Sequence, residues 1–173
     1  MSTKLAVGEQ MPSVGLRATD GYLLNLRTWV TKQPVLLLFF GGPTMSGPAK
    51  RKGMKAMEAL VAGFDRLREA GIAVSAVSCD SEEQQREFAA RQSIPFLLLS
   101  DERRSAVDML GIETVAEGAN FNVATPVAFA VDREGVIRAI TERVEPDALV
   151  DQMVRALSEP IPAAPAEDAA TSS

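Results

Sequence analysis

The run Val35-Leu36-Leu37-Leu38-Phe39-Phe40 follows Pro34 and is closed by Gly41-Gly42. It constrains the fold more than any other segment. Six consecutive apolar residues do not suit a half-exposed strand, whose buried positions alternate with period 2. They are also far fewer than the ~20 needed to span a bilayer. The run predicts a strand buried on both faces, as at the centre of a parallel sheet covered by helices. Ile72 to Val77 reads as a second such strand. Between them, Met54, Met57, Leu60, Val61, Phe64 and Leu67 recur at helical spacing, which predicts one long helix ended by Gly71.

The flanking segments extend the pattern. Residues 8–30 read as a leading hairpin, with Asp20-Gly21 as its turn signal. Asp80 or Ser81 can cap a helix reaching about Arg91, with Glu82 and Glu83 in its first turn. Phe96 to Leu99 reads as a short strand, and Asp101 to Met109 as a helix closed by Gly111. Residues 112–124 carry no clear period and read as an irregular loop. Val127–Val131 and Val136–Thr141 flank the turn Asp132-Arg133-Glu134-Gly135 as a hairpin. Pro146 opens a last helix with Leu149, Val150, Met153, Val154 and Leu157 inward. The fold class is therefore α/β, a sandwich with a mixed central sheet. Residues 1–158 form the domain. Residues 159–173, rich in Pro, Ala, Ser and acids, are expected to be disordered.

Composition narrows the chemistry. The 173 residues include no histidine and one cysteine, Cys79. Imidazole-based zinc sites, Ser/His triads and histidine general bases are excluded, as are an intramolecular disulfide and zinc–thiolate clusters. The residues imply no metal and no cofactor. A formal net charge of −5 argues against general nucleic-acid binding. The N-terminal residues show no long apolar run, so a cytoplasmic location without membrane insertion is expected.

Several segments together resemble the thioredoxin superfamily, in its redoxin branch of AhpC/TSA peroxiredoxins and TlpA-like thiol oxidoreductases. Gly8, Pro12, Asp20-Gly21 and Leu26 match the leading segment of that family. Asp80, Glu82-Glu83 and Phe88-Ala89 match a helix that follows the second strand. Pro95 to Asp101 and Thr125 to Ile137 match two further family segments. The resemblance covers roughly residues 5–157. It implies a thioredoxin-like three-layer sandwich with an N-terminal β-hairpin extension.

The resemblance also implies where chemistry would sit, at the junction of the first buried strand with the long helix. A thioredoxin-type site would place Cys-Gly-Pro-Cys there, and this chain has Ser46-Gly47-Pro48-Ala49 followed by Lys50. On a peroxiredoxin alignment Pro43 and Thr44 match more loosely, and the thiol position falls near Gly47 or Pro48. A helix N-terminus lowers a thiol's pKa, and the thiolate is the nucleophile. Ser46 has no histidine base and Ala49 cannot resolve a mixed disulfide, so dithiol exchange is unavailable here. Ser46 near the cap and Pro48 near the first helical position also make good local helix chemistry.

Four other features need a reading. Cys79 is either a lone reactive thiol or an inert half-buried residue whose pKa the neighbouring acid raises. Thr125-Pro126 matches the family's cis-proline, which faces the site and helps hold an extended partner chain. Lys50, Arg51, Lys52 and Lys55 form either an anion or acidic-partner contact or a solvated helix face. Trp29 and Tyr22 read as local packing. The expected function is a non-catalytic redoxin, a binding or structural subunit that docks a protein through Met45, Ser46, Pro48, Thr125 and Pro126. Gly41, Gly42 and Met45 would give that face an adaptable apolar surface. The alternative is a thiol oxidoreductase or antioxidant peroxidase whose cysteines at 46 and 49 have been replaced, or which works through Cys79. A homodimer is a further option.

Overall fold

The computed structural model describes residues 3–30, 32–117 and 120–158. The expected disorder of 159–173 lies outside these residues. The elements run β1 (Gly15–Ala18), β2 (Leu23–Asn25), α1 (Leu26–Val30), β3 (Val35–Phe39), α2 (Gly47–Ala62), α3 (Phe64–Glu69), β4 (Ala73–Ser78) and α4 (Glu82–Gln92). There follow β5 (Leu97–Ser100), α5 (Ser105–Leu110), β6 (Thr114–Glu117), β7 (Asn120–Val123), β8 (Val127–Val131), β9 (Ile137–Thr141) and α6 (Pro146–Ser158).

The apolar run forms β3, and all five of its residues are fully buried. It lies inside a seven-stranded sheet of order β2-β1-β5-β4-β3-β8-β9. β3 pairs parallel with β4, Leu38 opposite Ala76, and antiparallel with β8, Leu38 opposite Ala128. Side chains alternate across a strand. Leu37 and Phe39 therefore join a core with Leu26, Phe129 and the α5 residues Val107 and Leu110. Leu36, Leu38 and Phe40 join the opposite core with Met57 and Leu60 of α2, Phe88 of α4 and Leu149 and Met153 of α6. Helices thus cover both faces of a mixed sheet, the expected three-layer α/β sandwich. β1 and β2 extend it as a hairpin with Leu16 opposite Leu24.

Two elements differ from their sequence reading. The long helix is interrupted at Gly63, whose φ of −95° and ψ of 7° leave the helical region. A Cβ at residue 63 would lie 2.6 Å from Val150 Cγ2, so α6 crosses there at a distance that only glycine permits. The stretch expected as an irregular loop instead contains two strands, because β6 and β7 pair antiparallel, Val115 opposite Asn122. Val115 and Phe121 remain exposed, which hides the period-2 pattern that a strand packed on a core would show.

The choice of cap for α4 is settled. Ser81 Oγ accepts from Gln84 N at 3.2 Å while Ser81 N donates to Gln84 Oε1 at 2.9 Å, a reciprocal capping box. That leaves Asp80 for another task. Asp101 does not begin α5 but caps it from a distance, accepting from Ala106 N at 3.1 Å and Val107 N at 2.9 Å.

Candidate functional site: the loop from β3 to α2

Residues 41–46 carry the chain from the buried strand to the N-terminus of α2. Helix and loop approach closely through two glycines: a Cβ on Gly53 would lie 2.9 Å from Gly41 O. Ser46 is the N-cap residue in extended conformation, Gly47 has φ +71° and Pro48 lies in the first turn. The positions that the resemblance reserves for two thiols are thus the cap of α2 (Ser46) and its first turn (Ala49). A thiolate would meet the helix dipole there. Ser46 and Pro48 are exposed.

The loop is fixed by one buried carboxylate. Asp80 is 2% exposed, and its Oδ1 accepts from Thr44 N at 3.1 Å and from Thr44 Oγ1. Its Oδ2 accepts from Ser78 Oγ at 2.5 Å and from Asn122 Nδ2 at 3.2 Å. Ser78 Oγ in turn accepts from Gln85 Nε2 at 2.9 Å, and Asn122 Oδ1 accepts from Cys79 N at 3.1 Å. One side chain therefore ties the β3–α2 loop to β4, α4 and the β6–β7 hairpin. A carboxylate is acceptor-only, with about four lone-pair sites, and here it meets four donors. The sequence offers Asp80 as a cap, as part of the family resemblance and as the acid beside Cys79, but does not show its partners Thr44, Ser78 and Asn122. The available signal was Asn122 standing between Phe121 and Val123 in an otherwise apolar setting.

This network also redirects Thr44. Its hydroxyl donates to Asp80, so it is committed to holding the loop.

Cys79 lines a cavity of about 330 Å³ with Thr44, Asp80, Arg104 and Phe121. Its thiol is pushed up to about 12 from 9.0, first by burial and then by the charges of Asp101 and Asp80, with Arg104 opposing. Asp101 is itself raised above its ordinary value by burial, against the lowering effect of the N–H groups of Val107, Ala106 and Ser105. The Arg104 guanidinium lies 4.2 Å from the Phe121 ring centroid. Burial and the two carboxylates act on Cys79 in the direction of the inert reading. At pH 8 a thiol titrating near 12 has roughly a thousandfold less thiolate than one titrating at 9.0. Higher intrinsic nucleophilicity recovers part of this, leaving iodoacetamide alkylation about fiftyfold slower than for a free cysteine. The rate is expected to keep climbing above pH 9; a plateau near pH 9 would contradict the assignment. Stability is expected to fall over the same window, because the unfolded chain releases this proton at 9.0 and the folded chain only near 12.

Two expectations for the docking face are corrected. No peptide bond among the described residues is cis, so Thr125-Pro126 is trans. Pro126, buried, is an ordinary proline just ahead of a strand, where Val127 opposes Phe39. Met45 is 4% exposed and its N–H donates to Gly42 O at 3.0 Å, so it packs under the loop. Gly41 and Gly42 are buried as well, so this segment offers no adaptable apolar surface. Thr125 is exposed and lines a larger cavity with Pro126, whereas Ser46 and Pro48 line neither cavity.

The sheet order, the two helical layers and the glycine-bounded loop before α2 define a thioredoxin-like redoxin. The AhpC/TSA family pattern matches residues 7–140, and the chain belongs to that family. It is 25% identical over 152 residues to the putative peroxiredoxin bcp of Coxiella burnetii, covering 87% of this chain and 97% of that one. It is 28% identical over 143 residues to peroxiredoxin Bcp of Escherichia coli, covering 79% and 85%. Chloroplastic peroxiredoxin Q of Populus jackii matches at 26% over 155 residues, covering 89% and 68%. Among solved structures, peroxidoxin BcpB of Mycobacterium tuberculosis superposes with a TM-score of 0.74 at 17% identity, covering 88% and 96%. Peroxiredoxin Q of Xanthomonas campestris gives 0.70 at 18%, covering 90% and 96%. These structures share the fold.

Proposed function

We propose that this AhpC/TSA-family chain is a binding subunit that keeps the redoxin frame without its thiol step. One observation carries the reading: the N-terminal turn of α2 holds Ser46, Gly47, Pro48 and Ala49, and the only thiol in the sequence is the suppressed Cys79. With Met45 withdrawn, the docking face consists of Ser46, Pro48 and Thr125, backed by Pro126. A cytoplasmic location is part of this proposal, and no helix among the described residues is long and apolar enough to cross a membrane. The chloroplastic relative makes an organelle the other location to test.

A second reading, an antioxidant peroxidase, draws more support from the relatives, which are named peroxiredoxins. Cys79 also shares a cavity with Thr44, the residue of the looser peroxiredoxin match. One pair of assays separates the two. Peroxide consumption and insulin reduction are measured for the chain and for Cys79→Ser. The binding reading expects background rates from both proteins and a specific crosslink from a photoreactive residue at 46. Turnover that disappears in Cys79→Ser would establish the peroxidase instead.

A further inference from the structure

The four cations at the start of α2 are not one patch. Lys50 Nζ donates to Pro43 O at 3.3 Å and serves the loop. Lys52 and Lys55 instead line a cavity of about 920 Å³, bounded also by Arg143 after β9 and by Pro126 before β8. This volume is within the ~300–1,000 Å³ of small-molecule sites. Three carboxylates share the lining: Glu113, Glu142 and Glu145. Glu142 is engaged, its Oε1 accepting from Thr3 N at 2.7 Å. The other five charges are not paired with one another: among the described residues, no ion pair within 4.0 Å includes Lys52, Lys55, Arg143, Glu113 or Glu145.

The five opposite charges that line this cavity are exposed and come from separate backbone segments. Helix α2 supplies both lysines, the turn after α5 supplies Glu113, and the link from β9 to α6 supplies Arg143 and Glu145. A simple anion would satisfy the cations and be repelled by the carboxylates. A ligand carrying both signs satisfies both sets at once. Pro126, Ile112, Ile140 and Val144 add apolar wall between the charges. We propose that this cleft binds a small zwitterion, an α-amino acid or short peptide. Its carboxylate would go to Lys52, Lys55 and Arg143, and its ammonium group to Glu113 and Glu145. The proposal goes beyond the protein-docking reading and does not depend on it.

The test is calorimetric titration of the full chain with the tripeptide Ala-Ala-Ala, its N-acetyl form and its C-terminal amide. Saturable binding with a Kd at or below about 1 mM is expected for the free tripeptide. Each blocked form is expected to bind at least about tenfold more weakly, since each lacks one charge-assisted contact. Lys55→Ala with Arg143→Ala is expected to weaken the free and the N-acetylated tripeptides about tenfold each while leaving the amide unchanged, so that the free and amidated forms converge. Arg51→Ala, outside the cleft, should leave all affinities unchanged. Glycine and glutamate, titrated in parallel, distinguish a free amino acid from a peptide. Absence of saturable binding by every probe would overturn the proposal. Equal binding of the free and N-acetylated tripeptides would also overturn it, by showing a plain anion site. So would full affinity in the double variant.

Discussion

Asp80→Ala is expected to lower the melting temperature by about 10 °C. The substitution strands four donors that now meet one carboxylate: Thr44 N–H, the hydroxyls of Thr44 and Ser78, and the Asn122 amide. A buried donor left without a partner costs about 1–3 kcal/mol. Removal of the buried carboxylate also removes its own desolvation cost, which offsets part of the loss. A net loss of about 3–4 kcal/mol follows, and in a chain of this length each kcal/mol moves the midpoint by roughly 2–4 °C. Asp80→Asn keeps the shape and one acceptor but turns an NH₂ group toward donors, so it should fall between parent and alanine variant. Thermal unfolding measures both. Amide exchange at Thr44 should accelerate in step, because its N–H loses its acceptor. A midpoint within about 2 °C of the parent would show that the four contacts contribute nothing net.

How legible was this site in the sequence? The frame was legible because it rests on local signals. A six-residue apolar run set between Pro34 and two glycines is too short for a buried helix and reads as a doubly buried strand, and Pro48 after Ser46 marks a helix start. The absence of thiols at 46 and 49 needed no structure at all. The carboxylate network was not legible, because Thr44 and Asn122 are 36 and 42 residues from Asp80 and meet it only once the β3–α2 loop, β4 and β7 are placed. Asp80 was also masked by its neighbour: Ser81 and Asp80 are both good caps, and nothing local says which one caps. Exposure of the docking face was misread for a related reason. Met45 beside two glycines reads as a flexible apolar loop, yet loop and helix close so tightly that all three are buried.

The β6–β7 hairpin shows the limit of period counting. Its outward positions include Val115 and Phe121, so apolar residues stand on both faces and alternation disappears. Asn122 supplies the hairpin's link to Asp80, and Phe121 packs its ring on Arg104 beside Cys79. A segment that looked irregular therefore closes one side of the site.

Gly42 gives a sharper test of the same network, because its demand is steric. A Cβ at residue 42 would lie 1.8 Å from Asp80 Oδ2 and 2.8 Å from both Ser78 Cβ and Ser78 Oγ. Short side chains could swing aside if free, but these are held by the hydrogen bonds just described. Gly42→Ala must therefore either break Asp80 from its donors or push the loop off β4. Either route costs about 3 kcal/mol, at the upper end for overpacking a filled interior. The substitutions should also couple. In an Asp80→Ala background the 1.8 Å clash is gone and the 2.8 Å contacts with Ser78 remain, so the added cost of Gly42→Ala should fall to about 1 kcal/mol. A double-mutant cycle on urea midpoints reads this coupling directly, and about 2 kcal/mol is within the range for residues in contact. Simple additivity would mean that loop and carboxylate are held independently, and the account of Asp80 as the fastening between them would fail.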